Sequence, residues 1–556
     1  MIELKNFFPT QKERWLRKEG KKATPIIPTK LKFLLEKELH KTPAEIERAA
    51  NSYLKGELIL PGYPPMPKPN ISCLKTGQNC GNGFSPELLY LLNRLSWLIF
   101  PAFKFFISNS EEIYYKIKKD ILDWLVKNPP LRGLGWKKPE DIAIRAAVLT
   151  LVYDAIKSRA LEDRKFTEKL VSSLFSHYLY LNEFRNSKGL EKHTILAGLL
   201  FSGIFLRKFS VPTPDFDSIM EEFISSLYEQ PFRNGFFSGG SVEAHLFFFE
   251  LSLYTALLLH KNKYTLGEGW ERIESMGSIL LELAGEDGLP RIGTEKNLFL
   301  FPFHRLMDNP GFLLSLLYSI RKEEKIGYPP AEGVEYFVKP AKGNHSKKGL
   351  CLKHGGLASL ISGKKSVILT CMDTEESDKL SFIFRVEDKE FISDPGTFTF
   401  YSPYTKEISS TLYHSTVSLD GKEQMSIVPP KNKKLYIMTE CTKTRVSAEF
   451  HWDDGSTHRR KIEVTDKGFE MEDSIISEKD HQIYWSFILH PEVSLKFTTE
   501  GAVLKRENLR AVLKFPSGFK IIVEPVKFSR RYGEVETTKR IIFTKKGKGS
   551  FKFKLQ

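Results

Sequence analysis

Cysteine is scarce in this sequence, with only five among 556 residues. They are Cys73, Cys80, Cys351, Cys371 and Cys441. An odd and widely spaced set predicts no disulfide framework, and no two of them have the Cys-x-x-Cys spacing of a zinc site. Cys73 and Cys80 lie close enough in the sequence to pair, but free thiols are the simpler expectation. The spacing of His, Asp and Glu likewise predicts no metal site.

Long apolar runs are also missing. The N-terminal segment MIELKNFFPTQKERWLRKEGKK has scattered charges and lacks the apolar core of a secretory signal, so we expect a cytoplasmic protein. The longest apolar stretches, 196–206 and 246–259, are too short or too interrupted to cross a bilayer, which predicts buried helices and no membrane insertion. The sequence has no glycine-rich nucleotide-binding fingerprint and no RNA-binding aromatic motif, so we expect no nucleic-acid partner.

Positive charge and phenylalanine are abundant. Lys and Arg number 83 against 68 Asp and Glu, which gives a formal net charge of +15, and there are 42 Phe residues. A basic balance favours polyanionic partners, including acidic polysaccharides. The aromatic content indicates large cores or an aromatic-lined groove. Alternatively, the positive net charge reflects a lysine-rich surface that contacts only solvent.

Three segments follow one another along the chain. Residues 1–80 are rich in Pro and Lys, which predicts an irregular N-terminal arm. In residues 81–335 apolar side chains recur at helical spacing, as in IAIRAAVLTLVYDAI, and short loops predict antiparallel helix pairs that can close into a toroid. In residues 336–556 short alternating runs such as KLYIMTECT predict antiparallel strands. The predicted fold is an incomplete α/α toroid followed by a β-sandwich.

Short strings within these segments carry more information than the architecture does. They include ELLYLLNRLSWL (87–98), NGFFSGGSVEAHLFFFE (234–250), DGLPRIG (287–293), SDPGTFTFY (393–401) and LYHSTVSLDGKEQ (412–424). Together, and in this order, they resemble the heparinase II/III-like polysaccharide lyases. The resemblance implies cleavage of an acidic, uronate-containing glycan by β-elimination, with no cofactor.

β-Elimination requires a base for the proton next to the uronate carboxylate, a group that neutralises that carboxylate and an acid for the leaving oxygen. The resemblance implies that His414 stands at the position of a family His in the β domain. His245 follows the position of the family's catalytic Tyr, and Glu191 and His193 stand at or beside its Asn-His pair. These four residues are the predicted catalytic set. Each has a structural alternative, as a core histidine or as a helix-capping or solvated side chain.

The sequence departs from the family at several of these positions. Ala244 stands where the resemblance places the catalytic Tyr, and Thr374 and Glu376 replace a pair of histidines. These replacements predict weak activity and favour, as the alternative, a glycan-binding protein without catalysis. Helical toroids also host hydrolases that use two carboxylates, for which Glu243 and Asp378, together with Glu191, are the candidates.

A second group of residues is predicted to bind the acidic polysaccharide through charge, hydrogen bonds or ring stacking: Arg145, Asn93, Arg94, Trp136, Tyr401 and Tyr404. Arg145 interrupts an otherwise apolar helix, where an unpaired charge would be costly to bury. Either a carboxylate of the protein or an acidic sugar would pair with it. For Trp136 the alternative is burial in the core.

Overall fold

The computed structural model describes residues 34–35, 43–60, 63, 65–71, 73–76, 85–229, 231–237, 239–302, 306–399, 403–424 and 436–556. Among these residues, helices dominate up to Arg321 and antiparallel strands follow from Leu350. This order confirms the predicted fold class, a helical part followed by a β part.

The helices of the first part are α1 (Ala44–Lys55), α2 (Cys73–Thr76), α3 (Pro86–Asn93), α4 (Ile99–Ser108), α5 (Glu111–Lys127), α6 (Pro139–Ala160), α7 (Arg164–Glu183), α8 (Gly189–Lys208), α9 (Phe216–Glu229), α10 (Val242–Lys261), α11 (Gly269–Leu283) and α12 (Gly311–Arg321). α1 lies within the segment predicted to be an irregular arm. Its Tyr53 is buried and donates a hydrogen bond to Asp120 of α5 at 2.5 Å. This part of the predicted arm therefore belongs to the helical domain.

The inner helices α6, α8 and α10 are buried over most of their length because they are apolar on all sides. α6 packs against α8, and α8 packs against α10. The first contact is close: a Cβ at Gly198 would lie 2.6 Å from the Cα of Ala143, so only glycine fits there. α8 and α10 are long and apolar enough to cross a membrane, but 78% and 100% of their apolar windows are buried within the protein. They are core helices, as predicted.

The strands after the helices are β3 (Leu350–Leu352), β4 (Leu357–Ser362), β5 (Lys365–Thr370), β6 (Phe382–Val386), β7 (Lys389–Ile392), β8 (Val417–Leu419), β9 (Tyr436–Cys441), β10 (Arg445–His451), β11 (Thr457–Thr465), β12 (Gly468–Ile476), β13 (His481–Ile488), β14 (Ser494–Thr498), β15 (Gly501–Arg506), β16 (Leu509–Lys514), β17 (Lys520–Phe528), β18 (Glu536–Gly547) and β19 (Gly549–Leu555). The short strands β1 (Glu57–Leu58) and β2 (Met66–Pro67) pair with each other beside α1. A short helix, α13 (Pro403–Ile408), precedes β8.

The strands form antiparallel sheets that share one core. The eight-stranded sheet has the order β14-β15-β16-β19-β12-β11-β10-β9, the four-stranded sheet β17-β18-β13-β8 and the five-stranded sheet β3-β4-β5-β6-β7. Buried side chains from all three meet in this core, with Trp485 of β13 among the largest. Alternation of buried and exposed residues, clearest in β19, turns one face of a strand to the core and the other to solvent.

The structure corrects the prediction about cysteine. Cys351 of β3 and Cys441 of β9 form a disulfide with a Cα–Cα distance of 5.7 Å, and Cys371 is buried and not part of a disulfide. The two paired residues are far apart in the sequence, and only the approach of the two strands brings them together. Cys80 lies outside the described residues, so its proposed pairing with Cys73 is not described.

A fully buried arginine joins the eight-stranded sheet to the rest of the β domain. Arg460 of β11 donates two hydrogen bonds to the carboxylate of Asp473 on β12, at 2.7 and 2.9 Å. Its third guanidinium nitrogen, Nη1, donates to the carbonyl oxygens of Leu380 and Ser415, at 2.6 and 2.7 Å. The side chain thus fixes the loop that precedes β8.

Because its removal would leave the buried carboxylate of Asp473 with only the imidazole of His458 as a partner, we expect Arg460→Ala to lower the free energy of unfolding by about 3–5 kcal/mol. The adjacent Arg459 is the matched control, since its side chain is 46% exposed and pairs with Glu449 at 2.7 Å. Arg459→Ala should cost only about 0–1 kcal/mol. Urea denaturation of the two variants measures both values, and equal losses would contradict this role of Arg460.

Candidate active site at the domain interface

Charged side chains of the β domain hold the loop that follows α11. Arg506 donates to both carboxylate oxygens of Asp287 at 2.6 Å, and the backbone NH of Glu390 donates to the same carboxylate at 2.8 Å. Arg385 donates to the carbonyl oxygen of Leu283 at 2.6 Å. These contacts fix the end of the helical domain against the β domain.

The same loop continues into a second buried network. Arg291 pairs with Glu295 at 3.0 Å and also with Asp308, which in turn pairs with Arg531 of the β domain at 2.8 Å. The backbone NH of Glu295 donates to the hydroxyl of Thr397 at 3.0 Å. The loop is therefore bonded to the β domain along its length.

At the centre of the interface lies a buried cluster of His414, Asp394 and Glu376. His414 Nδ1 lies 3.3 Å from Asp394 Oδ2, and His414 Nε2 lies 3.7 Å from Glu376 Oε2. Thr294 of the helical domain donates to Glu376 Oε1 at 3.0 Å. The strings around residues 293, 376, 394 and 414, which the resemblance singled out separately, thus meet at one place.

The cluster holds more negative than positive charge. Burial raises the pKa of Glu376 to about 8 and also raises the pKa of Asp394. Burial alone would lower the pKa of His414, but Asp394 and Glu376 raise it to about 9. Asp378 lies beside the cluster and pairs with Lys379 at 2.9 Å. The carboxyl groups bind protons more tightly than they would in water because they are buried, and the imidazole does so because two carboxylates face it.

Several polar atoms of this cluster are buried without a hydrogen-bond partner, among them Glu376 Oε2 and His414 Nε2. One donor atom from each of Glu376, Asp394 and His414 lies within 4.8 Å of the other two. An imidazole nitrogen and two carboxylates suit a divalent cation, and binding one would both satisfy these atoms and balance the charge. The sequence predicted no such centre because the three ligands are far apart along the chain.

If the cluster holds a divalent cation, Zn²⁺ or Ca²⁺ should raise the melting temperature of chelator-treated protein. Saturation at 100 times the dissociation constant would add about 2.7 kcal/mol to the free energy of unfolding. His414→Gln should abolish the shift. His458→Gln is the matched control, because His458 is equally buried and bonds to Asp473 at 2.8 Å outside the cluster. An unchanged melting temperature of the wild type with both ions would contradict cation binding.

The other predicted catalytic histidines are buried in the helical domain. His193 lies between the hydroxyls of Ser226 and Ser252, at 2.8 and 2.9 Å, and burial lowers its pKa to about 3. His245 accepts a hydrogen bond from the backbone NH of Phe237 at 3.2 Å, and burial lowers its pKa to about 4. Both are fully buried, as is His414, so none of the three contacts a polymer in this conformation.

The carboxylates proposed for a hydrolase do not face one another. Glu191 is exposed and accepts a hydrogen bond from Ser187 at 3.3 Å. Glu243 is buried and accepts hydrogen bonds from the backbone NH groups of Lys296 and Leu298, at 2.7 and 3.0 Å. Asp378 is engaged by Lys379. Each therefore has its own partners, and this arrangement does not favour the hydrolase interpretation.

Most of the predicted sugar-binding residues form a structural cluster instead. Arg145 donates to His177, to the carbonyl of Asn93 and to the carbonyl of Gly135, at 2.9, 3.0 and 2.7 Å. Its guanidinium lies 5.3 Å from the ring centroid of Trp136, and burial lowers its pKa to about 9. Neither a protein carboxylate nor a sugar is needed, since carbonyls and an imidazole satisfy this buried charge.

The remaining predicted residues divide between core and surface. Asn93 is fully buried, and Arg94 is nearly so and bonds to Asp141 at 2.6 Å. Tyr404 is 37% exposed, with the ammonium of Lys527 3.4 Å from its ring centroid. Tyr401 lies outside the described residues. Among the described members of the set, Tyr404 is the one whose ring is accessible.

Ala244, at the start of α10, is 3% exposed. A Cβ at Gly239 would lie 2.9 Å from the Cβ of Ala244 and 2.3 Å from the ring of Phe237, so Gly239 packs closely on both residues. The alanine that stands where the resemblance places the catalytic Tyr is therefore buried.

Residues 345–556 match the family model described as heparinase II/III-like, C-terminal. A comparison of the sequence with curated proteins gave no match. Among solved structures, heparinase III is 12% identical with a TM-score of 0.71, covering 99% of this chain and 91% of that one. Heparan sulfate lyase HepC from Pedobacter heparinus is 15% identical with a TM-score of 0.59, covering 98% and 87%.

The chondroitin AC lyase of Streptomyces coelicolor A3, solved with chondroitin sulphate, is 10% identical with a TM-score of 0.59, covering 98% of this chain and 82% of that one. At such identities the likeness establishes the fold alone. Residues 345–556 carry the heparinase II/III-like C-terminal domain, and the whole chain shares the fold of heparinase III, which supports the resemblance found in the strings of the sequence.

Proposed function

We propose that this protein binds an acidic, uronate-containing polysaccharide at the interface of its two domains and cleaves it slowly by β-elimination. The observation that carries the proposal is the shared fold, which covers 99% of this chain and 91% of heparinase III. The net charge of +15 supports a polyanionic substrate. The solved relatives named above are lyases of heparan and chondroitin sulfates, which makes glycosaminoglycans the first substrates to test.

The slow rate follows from the groups that the site lacks. A general acid or base typically contributes about 10²–10⁴-fold to the rate. Ala244 offers no acid, and Thr374 is buried with its hydroxyl 2.6 Å from the ammonium of Lys379. Elimination by this protein would have to rely on other side chains at the interface.

A second candidate function is glycan binding without catalysis. It is favoured by Ala244, which is 3% exposed and offers no proton donor where the resemblance places the catalytic Tyr. A binding protein needs the fold and the positive charge but neither the acid nor the base. The two functions share a ligand and differ in whether a glycosidic bond breaks.

An assay against heparan sulfate, chondroitin sulfate and a neutral dextran tests the proposal. We expect both acidic polymers to bind, more weakly as salt screens the charge, and the dextran not to bind. We also expect a slow rise in the ultraviolet absorbance of the new C4–C5 double bond.

Binding of the acidic polymers with neither a rise in absorbance nor new reducing ends would contradict the lyase function and support glycan binding without catalysis. New reducing ends without absorbance would show hydrolysis and contradict both. Binding to dextran as strong as to the acidic polymers would contradict the assignment of an acidic ligand.

A further inference from the structure

An exposed ion pair crosses the domain interface beside the buried cluster. In the segment 291–300, Lys296 is the only exposed residue. In the segment 371–380, Asp373 and Glu375 are exposed, whereas their neighbours are buried. Lys296 Nζ lies 2.9 Å from Glu375 Oε1, and the side chains are 44% and 59% exposed. The helical domain therefore presents a lysine at this point and the β domain presents two acidic residues, one of which pairs with it.

The backbone beneath Lys296 is held from several sides. Glu243 accepts the hydrogen bond of the Lys296 NH at 2.7 Å, and the preceding NH of Glu295 donates to Thr397 at 3.0 Å. The hydroxyl of Thr294 donates to Glu376 at 3.0 Å. Because buried partners from both domains fix this backbone, the Lys296 side chain projects from a rigid support.

The pair also lies next to the position of the missing tyrosine. Glu243, which anchors Lys296, immediately precedes Ala244 on α10. A Cβ at Gly240 in the adjoining loop would lie 3.8 Å from the carbonyl oxygen of Asp373. The start of α10, the 293–298 loop and the 373–376 loop thus converge, and Lys296 is the exposed cation at their junction.

We infer that Lys296 binds the uronate carboxylate of the acidic polysaccharide, and that Glu375 occupies this position in the free protein and is displaced by the sugar. The inference rests on the proposed function, since it names the group that recognises the ligand. An exposed ion pair contributes little to stability. Exchange of one carboxylate partner for another therefore encounters only a small opposing free energy.

The alternative is that the pair only ties the two domains together. In that case loss of either partner lowers the melting temperature and leaves glycan affinity unchanged. If Lys296 binds the sugar, the two substitutions act in opposite directions on affinity. Removing the lysine removes the attraction, whereas neutralising Glu375 removes both a competitor for the lysine and a repulsion of the ligand.

The experiment measures the affinity of the full chain for fluorescently labelled heparan sulfate and chondroitin sulfate by polarisation. Lys296→Gln should weaken binding by about tenfold, because a charged contact at a partly desolvated interface is lost. Glu375→Gln should tighten binding by about threefold, and Lys296→Arg should stay within about twofold of the wild type.

Lys364 and Glu387 supply matched controls. They form an equivalent exposed pair at 2.6 Å within the β domain, so Lys364→Gln and Glu387→Gln change the net charge by the same amounts. Neither control should shift the affinity as far as its counterpart. Melting temperatures of all variants confirm that they are folded.

If the wild type binds and Lys296→Gln and Glu375→Gln bind with the same affinity, the inference is overturned. The proposed function is not affected by that result. Equal effects of Lys296→Gln and Lys364→Gln would also overturn it, because they would show a general charge effect. Absence of binding of both polymers by the wild type would overturn the inference and the proposed function together.

Discussion

The interface between the two domains depends on ion pairs that cross it, above all the largely buried pair of Asp287 and Arg506. Asp287 of the helical domain is bound by Arg506 of the β domain, and Asp308 pairs with both Arg291 and Arg531. Removing one partner of a buried ion pair typically costs about 3–5 kcal/mol, because the other charge stays desolvated. These pairs therefore stabilise one relative position of the domains and hold residues 287–297 against the β domain.

These anchors determine where the side chains of the loop after α11 lie. Its buried residues reach into the β domain, where Thr294 bonds to Glu376 beside the cluster with Asp394 and His414. Within residues 291–300 the exposed residue is Lys296. His193, His245 and Arg145 are buried and are hydrogen-bonded by groups of the protein. The molecule thus shares its fold with heparinase III and presents Lys296 at the junction.

The fold was predictable because its signal is periodic: α10 is apolar on every side, and β19 alternates between buried and exposed residues from Ser550 onward. The roles of single polar residues were not predictable from the sequence. His193 lies between two serine hydroxyls, and Arg145 between carbonyls, and these partners come from distant parts of the chain. The Cys351–Cys441 disulfide and the cluster of Glu376, Asp394 and His414 escaped prediction for the same reason. Lys296 gave no signal in the sequence, because its exposure within a buried loop is a property of the packing.

We propose that the acidic ligand binds where the start of α10 meets the 373–376 loop. A crystal structure of the protein with a heparan sulfate tetrasaccharide would locate the ligand. It should show a uronate carboxylate within hydrogen-bond distance of Lys296 Nζ, with the side chain of Glu375 turned away. A tetrasaccharide ordered elsewhere on the molecule, with the Lys296–Glu375 pair intact, would contradict it.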